Sequence, residues 1–447
     1  MLKTKTTVRY EIEKEMKKQG YNLNSFSLAS GINRGVLSAV LHGNSPKPIS
    51  ITQLDIVCGT LNKPIEWIYA LFIKELFEEE KLHWRRIKPL IEQCVILKKV
   101  DFVKKILSKI PSTPLYIKKI FHIAESFPQV MYQSSTKLLY EFIILNQNDH
   151  SEILAISQYR LYMNSANENL KEFAENSFKF SPFRSHLPTS LALEALLRLA
   201  THAYNLEDWS LLRKYGHEMH TIALSLYKNQ NNKNFSAKYL EGYELQRPLV
   251  VYYGQSNLIK FISYEYEKNY NEALKSIEAF EDLSWFNGLD KQGWIEVENF
   301  KKFAIFNRHN LQLLQGDNTG IEEYFGLLEF YQDEILPTLL IALKTSNMHN
   351  WNIDQYLSKY HYILYPDDFV NYFEVINEHY SLQSTLNRYV NIYYELAVYY
   401  FNQKKLNNEL DHCLSILQKL IDKFSKSRAL DCLELLKKIN SIPKMET

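Results

Sequence analysis

The stretch GINRGVLSAVLHG (31–43) begins and ends with glycine and carries apolar residues at the spacing of a short helix. Gly31 supplies a tight turn, because glycine adopts a left-handed backbone without steric cost. Asn33 is a good N-terminal cap for the helix that follows, and Gly43 closes that helix. Its apolar side is formed by Val36, Leu37, Val40 and Leu41. The stretch therefore predicts a glycine turn that leads into a short amphipathic helix.

Two helices are predicted before this stretch. The first ends at Gly20 and has apolar residues at helical spacing, namely Val8, Ile12 and Met16. Asn24 or Ser25 is expected to cap the second, in which Phe26 and Leu28–Ala29 are expected to point inward. Three short helices with a glycine turn between the second and third are typical of a helix-turn-helix.

Two further helices are predicted after the loop Asn44–Pro48. The fourth has Leu54, Ile56–Val57 and Leu61 on its apolar side, and the fifth begins near Pro64. Residues 1–50 hold eight Lys and Arg against three Glu, a net charge of +5. Positive charge is therefore concentrated around the motif, as expected of a protein that neutralises phosphates.

The segment GINRGVLSAVLHGNSPKPISITQLDIVCGTLN (31–62) resembles the Cro/C1-type (XRE) repressor domain. The resemblance lies in the glycine turn, the apolar and serine run that ends in glycine, and the leucine-rich fourth helix. Two features depart from the family pattern. Ser25 stands near the place of the glutamine that often opens the second helix, and Gly35 weakens the third by up to ~1 kcal/mol relative to alanine.

The candidate DNA-binding residues lie on the outer side of the motif. Asn33 and Arg34 are the types that contact adenine and guanine edges with two hydrogen bonds. A purely structural alternative remains, in which Asn33 only caps its helix and Arg34 is only solvated. The other exposed residues expected on the third helix are Ser38 and His42. The expected phosphate contacts are Ser25, Ser27, Asn44 and Lys47.

The composition predicts an all-α, multidomain or repetitive protein. At 447 residues the chain exceeds the ~250–300 residues of one hydrophobic core. With 13 glycines and 13 prolines it has few turn-forming residues, which favours long helices. The polar start and the lack of a long apolar run predict a cytoplasmic protein without a secretory signal or membrane span. The four dispersed cysteines are expected to be free and mostly buried.

The rest of the chain reads as helices in pairs. We predict an XRE-type domain over 1–75 and a tetratricopeptide-like helical solenoid over 76–447. The best match to that repeat is FISYEYEKNYNEALKSIEAF (261–280), where an aromatic and a small residue are spaced as in the repeat's two helices. Degenerate units are predicted at 206–216 and 402–417.

An XRE-type domain followed by a degenerate helical array resembles the RRNPP family of peptide-responsive regulators of Gram-positive bacteria and their phages, which includes the arbitrium receptors. The resemblance implies a homodimeric transcription regulator that binds an operator and, in its repeat groove, a short signalling peptide. The candidate peptide-binding residues are Tyr253, Asn257, Tyr264, Asn299, Phe303, Asn307 and Asn310. Asparagine suits this role because one side chain both donates and accepts. The alternative is that the aromatic residues are core and the asparagines merely exposed.

Two more expectations concern assembly and chemistry. A stripe in the final segment, with Leu430, Leu433, Leu435 or Leu436 and Ile439, either caps the array or contacts a partner subunit. His217 and His220 stand three residues apart, unlike the four of a zinc-protease helix, so no metal, cofactor or catalytic role is expected. The rival functional class is a protein-interaction scaffold with a vestigial helix-turn-helix.

Overall fold

The computed structural model describes residues 7–42, 47–78, 81–128, 131–147, 151–164, 170–229, 243–365, 382–405, 408–424 and 429–440. Throughout these ranges every regular element is a helix and none is a strand, so the predicted all-α class is confirmed. The chain forms two compact units. Unit 1 comprises residues 1–202 and 230–244, and unit 2 comprises residues 203–229 and 245–447.

The helices of unit 1 follow one another along the chain, and a short 3-10 helix, Ser181–His186, precedes the last of them. They are α1 Val8–Lys18, α2 Leu23–Ser30, α3 Arg34–Leu41, α4 Ile51–Thr60, α5 Glu66–Glu78, α6 Trp84–Ile96, α7 Val100–Leu107, α8 Pro114–Glu125, α9 Gln133–Asn146, α10 Glu152–Asn164, α11 Leu170–Phe180 and α12 Thr189–Asn205, whose last residues belong to unit 2.

Unit 2 contains long helices alternating with shorter ones. They are α13 Trp209–Lys228, α14 Leu249–Tyr266, α15 Tyr270–Glu278, α16 Lys291–Leu314, α17 Ile321–Gly326, α18 Ile335–His349, α19 Asp354–Lys359, α20 His361–Leu364, α21 Leu382–Asn402, α22 Asn408–Phe424 and α23 Ala429–Asn440. The long helices α14, α16, α18 and α21 contact one another in succession, and α15, α17 and α22 each pack on the long helix that precedes them.

One turn geometry recurs between paired helices in both units. A non-glycine residue adopts positive φ, and the next amide donates to the carbonyl five positions back at 2.8–3.0 Å, as in a Schellman motif. The positive-φ residues of this type include Lys98, Glu207, Lys268 and Lys404. The last three lie where the sequence predicts helix pairs, and each of these places holds a turn between two helices. Their assignment to the tetratricopeptide class remains a prediction.

Two glycines inside helices of unit 2 allow close helix crossings. A Cβ added at Gly254 of α14 would lie 2.3 Å from the ring of Phe300 on α16. A Cβ at Gly216 of α13 would lie 3.0–3.2 Å from atoms of α14, including Lys260 Cγ. Glycine within a helix costs about 1 kcal/mol in propensity. At these two positions that loss is offset by the close approach of α13, α14 and α16.

The interior is rich in aromatic residues. Nine of the twelve largest fully buried side chains among the described residues are tyrosines. Cys58, Cys94, Cys413 and Cys432 are buried and free, which confirms the expectation for the thiols. Within the described residues, no helix combines the length and apolar character that crossing a membrane requires.

The predicted N-terminal segment is tied to the helices that follow it. Asp55 of α4 accepts hydrogen bonds from the Tyr69 hydroxyl of α5 and, at 2.8 Å, from Gln93 Nε2 of α6. Burial raises the pKa of Asp55 despite these two bonds. The expected boundary near residue 75 falls inside α5, and the next helices belong to the same compact unit.

Candidate nucleic-acid interface and ligand-binding face

Local hydrogen bonds define the turn between α2 and α3. Asn22 caps α2, because its Oδ1 accepts from the amides of Asn24 and Ser25 at 2.9 Å, so the expected cap at residue 24 or 25 is wrong by two or three positions. Gly31 ends α2 with φ of 72°, as predicted. Asn33 Oδ1 accepts from the Gly35 amide at 2.8 Å and caps α3, also as predicted.

The apolar sides of α2 and α3 are narrower than the sequence indicates. Phe26 is fully buried, whereas Leu28 is 87% exposed and Ala29 is exposed, which corrects the expectation for both. Two residues along a helix correspond to a rotation of ~200°, so Leu28 points away from the side that buries Phe26. On α3, Leu37, Val40 and Leu41 are buried, but Val36 is 40% exposed at the rim. Ile56 of α4 is likewise 38% exposed.

The expected base-contacting residues differ in their exposure and in the hydrogen bonds or ion pairs that they make within the protein. Arg34 is exposed and makes no hydrogen bond or ion pair with any described residue. Asn33 is exposed, with its Oδ1 used by the cap and its Nδ2 not used there. Ser38 is half-buried. His42 is exposed, with Nδ1 3.4 Å from Glu13 Oε1.

The expected phosphate contacts are less uniform. Ser25 Oγ donates to the Asn22 carbonyl at 3.1 Å, and Ser27 Oγ donates to the Ile32 carbonyl at 2.7 Å across the turn. Both hydroxyl protons are therefore already used, that of Ser25 at the start of α2 and that of Ser27 across the turn. Lys47 is exposed. Asn44 lies outside the described residues.

Arg9, which the sequence presents only as part of the positive charge, joins α1 to the end of α3. Its Nε donates to the Val40 carbonyl at 2.7 Å, and its Nη2 donates to the Lys47 carbonyl at 3.2 Å. The guanidinium therefore holds the end of α3 and the chain that follows it. No local sequence signal indicates this role, since the partners are backbone carbonyls more than thirty residues away.

In unit 2, the predicted residues of α14 form one stripe along that helix. Tyr253 is half-buried, with ring centres 5.0 Å from His220 and 5.5 Å from Trp285. Asn257 is fully buried, and its Nδ2 donates to the Tyr253 carbonyl while its Oδ1 has no partner. Tyr264 is half-buried beneath the Arg213 guanidinium, 5.1 Å from the ring centre.

The predicted residues of α16 form a second stripe of half-buried side chains, but most are already engaged. Asn299 Nδ2 donates to Glu296 Oε2 at 3.2 Å. Asn310 accepts from the Tyr324 hydroxyl and donates to Asn307 Oδ1 at 3.2 Å. The ring of Phe303 packs edge-on against a neighbouring phenylalanine of α16, with ring centres 6.2 Å apart.

Two ionisable residues of α14 carry no signal in the sequence pattern. Lys260 is half-buried without an acidic partner among the described residues, and burial lowers its pKa. Glu265 is half-buried as well, and burial raises its pKa to about 7 although Lys344 partly offsets the effect. Burial first, then Lys260 and His217, lowers the pKa of His220 to about 4. Spacing alone does not reveal such charges, because it does not say whether a partner lies nearby.

The described residues contain no group of three or more His, Cys, Asp or Glu side chains placed to hold a metal ion.

On the last helix, α23, Cys432 and Leu435 are buried while Leu430 and Leu433 are 76% and 54% exposed. Leu436 is half-buried, and the side chain of Ile439 lies outside the described set.

The chain matches no protein-family profile, no curated protein and no solved structure. Its function is therefore inferred from the turn of unit 1 and the helix faces of unit 2.

Proposed function

We propose that the protein is a homodimeric DNA-binding transcription regulator in which α3 enters the major groove and a short peptide bound to unit 2 controls the DNA-competent state. The observation that carries the proposal is the start of α3. Arg34 is exposed without a partner directly after a glycine turn, next to the free amide nitrogen of Asn33. The first residues of the second helix in such a turn are those that contact bases.

The DNA-binding part is tested with a duplex from the protein's own locus. Arg34→Ala is expected to weaken binding by roughly 1–3 kcal/mol, the range for a bidentate base contact. Asn33→Ser keeps an acceptor for the cap and removes the amide nitrogen, so loss of affinity in this variant reports the contact rather than the cap. Lys88→Ala, at an exposed lysine of α6, is the matched control. Unchanged affinity in both variants, with the fold intact by circular dichroism, contradicts the proposal.

The peptide-sensing part is supported by the polar and aromatic stripes of α14 and α16, whose side chains are half-buried except for the fully buried Asn257. Reversing a 1:99 population of the DNA-competent state requires about 5.5 kcal/mol of differential affinity. A nanomolar peptide supplies ~12 kcal/mol in total, so the requirement is attainable. Calorimetry with peptides encoded beside the gene tests this part. The expected result is binding that alters operator affinity; peptides that bind without this effect contradict it.

Leu28 favours the second candidate, a protein-interaction scaffold. An 87% exposed leucine beside the turn suits contact with a protein better than contact with phosphates. The two candidates differ in salt dependence, because DNA affinity falls steeply as salt rises when phosphates are contacted. If the protein does not bind duplex DNA even at low salt, the scaffold function is favoured.

A further inference from the structure

The C-terminal end of α14 carries a carboxylate without a partner. Glu265 is half-buried, and it makes no hydrogen bond or ion pair with any described residue. The nearest cation that influences it is Lys344 of α18, which lies too far away for an ion pair. A desolvated carboxylate is costly unless a cation or several donors approach it. This position therefore favours a positively charged ligand.

Tyr266, the residue after Glu265, belongs to a cluster of aromatic rings that remain partly open to solvent. Tyr266 stacks on Trp209 with ring centres 3.9 Å apart and planes 9° from parallel. Tyr204 lies edge-on to Tyr266 at 6.4 Å, and both tyrosines are 42% exposed. Partly exposed aromatic rings near a carboxylate are a combination that attracts ammonium and guanidinium groups.

A cation of the protein already lies over one of these rings. Lys344 Nζ is 5.2 Å from the centre of the Tyr266 ring, and no described acidic side chain pairs with it. Its ammonium therefore occupies a cation-binding position over the ring, although it makes no ion pair with Glu265. Because this lysine is held by no ion pair, a ligand cation with better geometry can displace it.

We propose that Glu265, with Tyr266 and Trp209, forms a binding site for an ammonium or guanidinium group of a ligand, with Lys344 as the internal occupant that the ligand displaces. The proposal rests on the proposed ligand-binding role of unit 2 and is independent of DNA binding. It narrows the ligand class to molecules with a positive group at one end or on a side chain.

The test is calorimetry on the full chain with small probes of matched shape. Nα-acetyl-L-argininamide carries one guanidinium, and Nα-acetyl-L-citrullinamide has nearly the same shape without the charge. Glycylglycinamide carries its cation at a peptide N-terminus, so comparison with the arginine probe distinguishes a terminal from a side-chain cation. We expect saturable millimolar binding of at least one cationic probe, roughly tenfold tighter than the citrulline probe.

Three variants assign the site. Glu265→Gln is expected to abolish the preference for the cationic probe, and Tyr266→Leu to weaken it several-fold. Lys344→Met is expected to strengthen binding, because it removes the internal competitor while keeping a long apolar side chain. Glu278→Gln, at an exposed glutamate of α15, is the matched control and should bind as the wild type does.

The outcomes separate this inference from the proposed function. Absence of saturable binding, an unchanged preference in Glu265→Gln, or weaker binding in Lys344→Met overturns the inference, with thermal unfolding confirming that each variant is folded. Binding through Glu265 by probes and peptides that leave DNA affinity unchanged supports the inference and contradicts the sensor function. A peptide that alters DNA affinity equally in wild type and Glu265→Gln supports the function and overturns the inference.

Discussion

Glu125 of unit 1 and Glu265 of unit 2 are both carboxylates away from water, but only the first has partners. In unit 1, Arg160 Nε and Nη2 donate to the two oxygens of Glu125 at 3.0 and 2.7 Å. Glu125 also accepts from the hydroxyls of Tyr140 and Tyr243. In unit 2, the half-buried Glu265 has no such partner. The pairing gives Glu125 a structural role, whereas the unpaired Glu265 is the group that we propose for a ligand.

The pKa values of the two glutamates reflect this difference. Burial alone would raise the pKa of Glu125, but the hydrogen bonds and charge of Arg160 outweigh it, so the pKa is lowered. For Glu265 burial dominates and the pKa is raised. Glu125 therefore contributes stability that is present above its unfolded pKa and is lost as pH falls through its folded pKa. Glu265, whose pKa is raised, has the opposite effect on the pH dependence of stability.

The largest expected effect comes from breaking the paired site. Glu125→Gln leaves the Arg160 charge buried without its counterion, which typically costs about 3–5 kcal/mol. Urea unfolding of the full chain at neutral pH measures the loss. Glu265→Gln is the comparison, and it should unfold at the same or a higher urea concentration because it removes an unpaired charge. Equal destabilisation by the two substitutions would contradict the distinction between paired and unpaired sites.

The second expected effect concerns the helix crossing that positions α14. Gly254→Ala places a methyl group 2.3 Å from the Phe300 ring, so α14 and α16 must separate or the ring must move. Overpacking of this kind costs about 1–3 kcal/mol. Gly326→Ala, where no heavy atom lies within 4 Å of the added Cβ, is the control in the same unit and should be neutral or stabilising. Similar unfolding midpoints for the two variants would show that the crossing tolerates the added carbon.

The sequence predicts local features such as turns and helix caps, but it does not predict contacts between residues that are far apart in the chain. Gly31 and Asn33 take the predicted backbone roles because a glycine turn and an N-cap depend on neighbouring residues alone. Leu28 is expected inward but is exposed, because the sequence does not show how wide a face each short helix buries. Lys260 and Glu265 were overlooked because a missing partner is a property of packing between helices that are far apart in sequence.

The third expected effect separates structural from phosphate-binding charge within unit 1. Arg9→Met removes two hydrogen bonds to backbone carbonyls and should lower the free energy of unfolding by about 1.5 kcal/mol. Lys47→Met should leave stability unchanged but reduce the salt dependence of DNA binding by about one phosphate contact. Titrations at several salt concentrations, paired with urea unfolding, measure both. If the salt dependence of DNA binding changes only in the folded Arg9 variant, Arg9 contacts phosphate and Lys47 does not.

The smallest expected effect is the pH dependence of the unpaired site. With its pKa raised to about 7, Glu265 is largely charged above that pH and largely neutral below it. Affinity for Nα-acetyl-L-argininamide should therefore fall roughly tenfold, or ~1.4 kcal/mol, between about pH 8 and pH 6. The groups that interact with Glu265 are Lys344, Tyr266, Tyr270 and Tyr324, and none of these types changes charge near neutral pH.

The sign of this effect distinguishes the ligand role of Glu265 from a structural one. Its contribution to stability is fully present below its unfolded pKa and is lost as pH rises through about 7, whereas binding of a cation improves over the same interval. A carboxylate that only supported the fold would move stability and affinity in the same direction. The control is Glu265→Gln, for which affinity should be weak and independent of pH. Wild-type affinity that is flat or rises toward acid pH would show that the cation does not pair with this carboxylate.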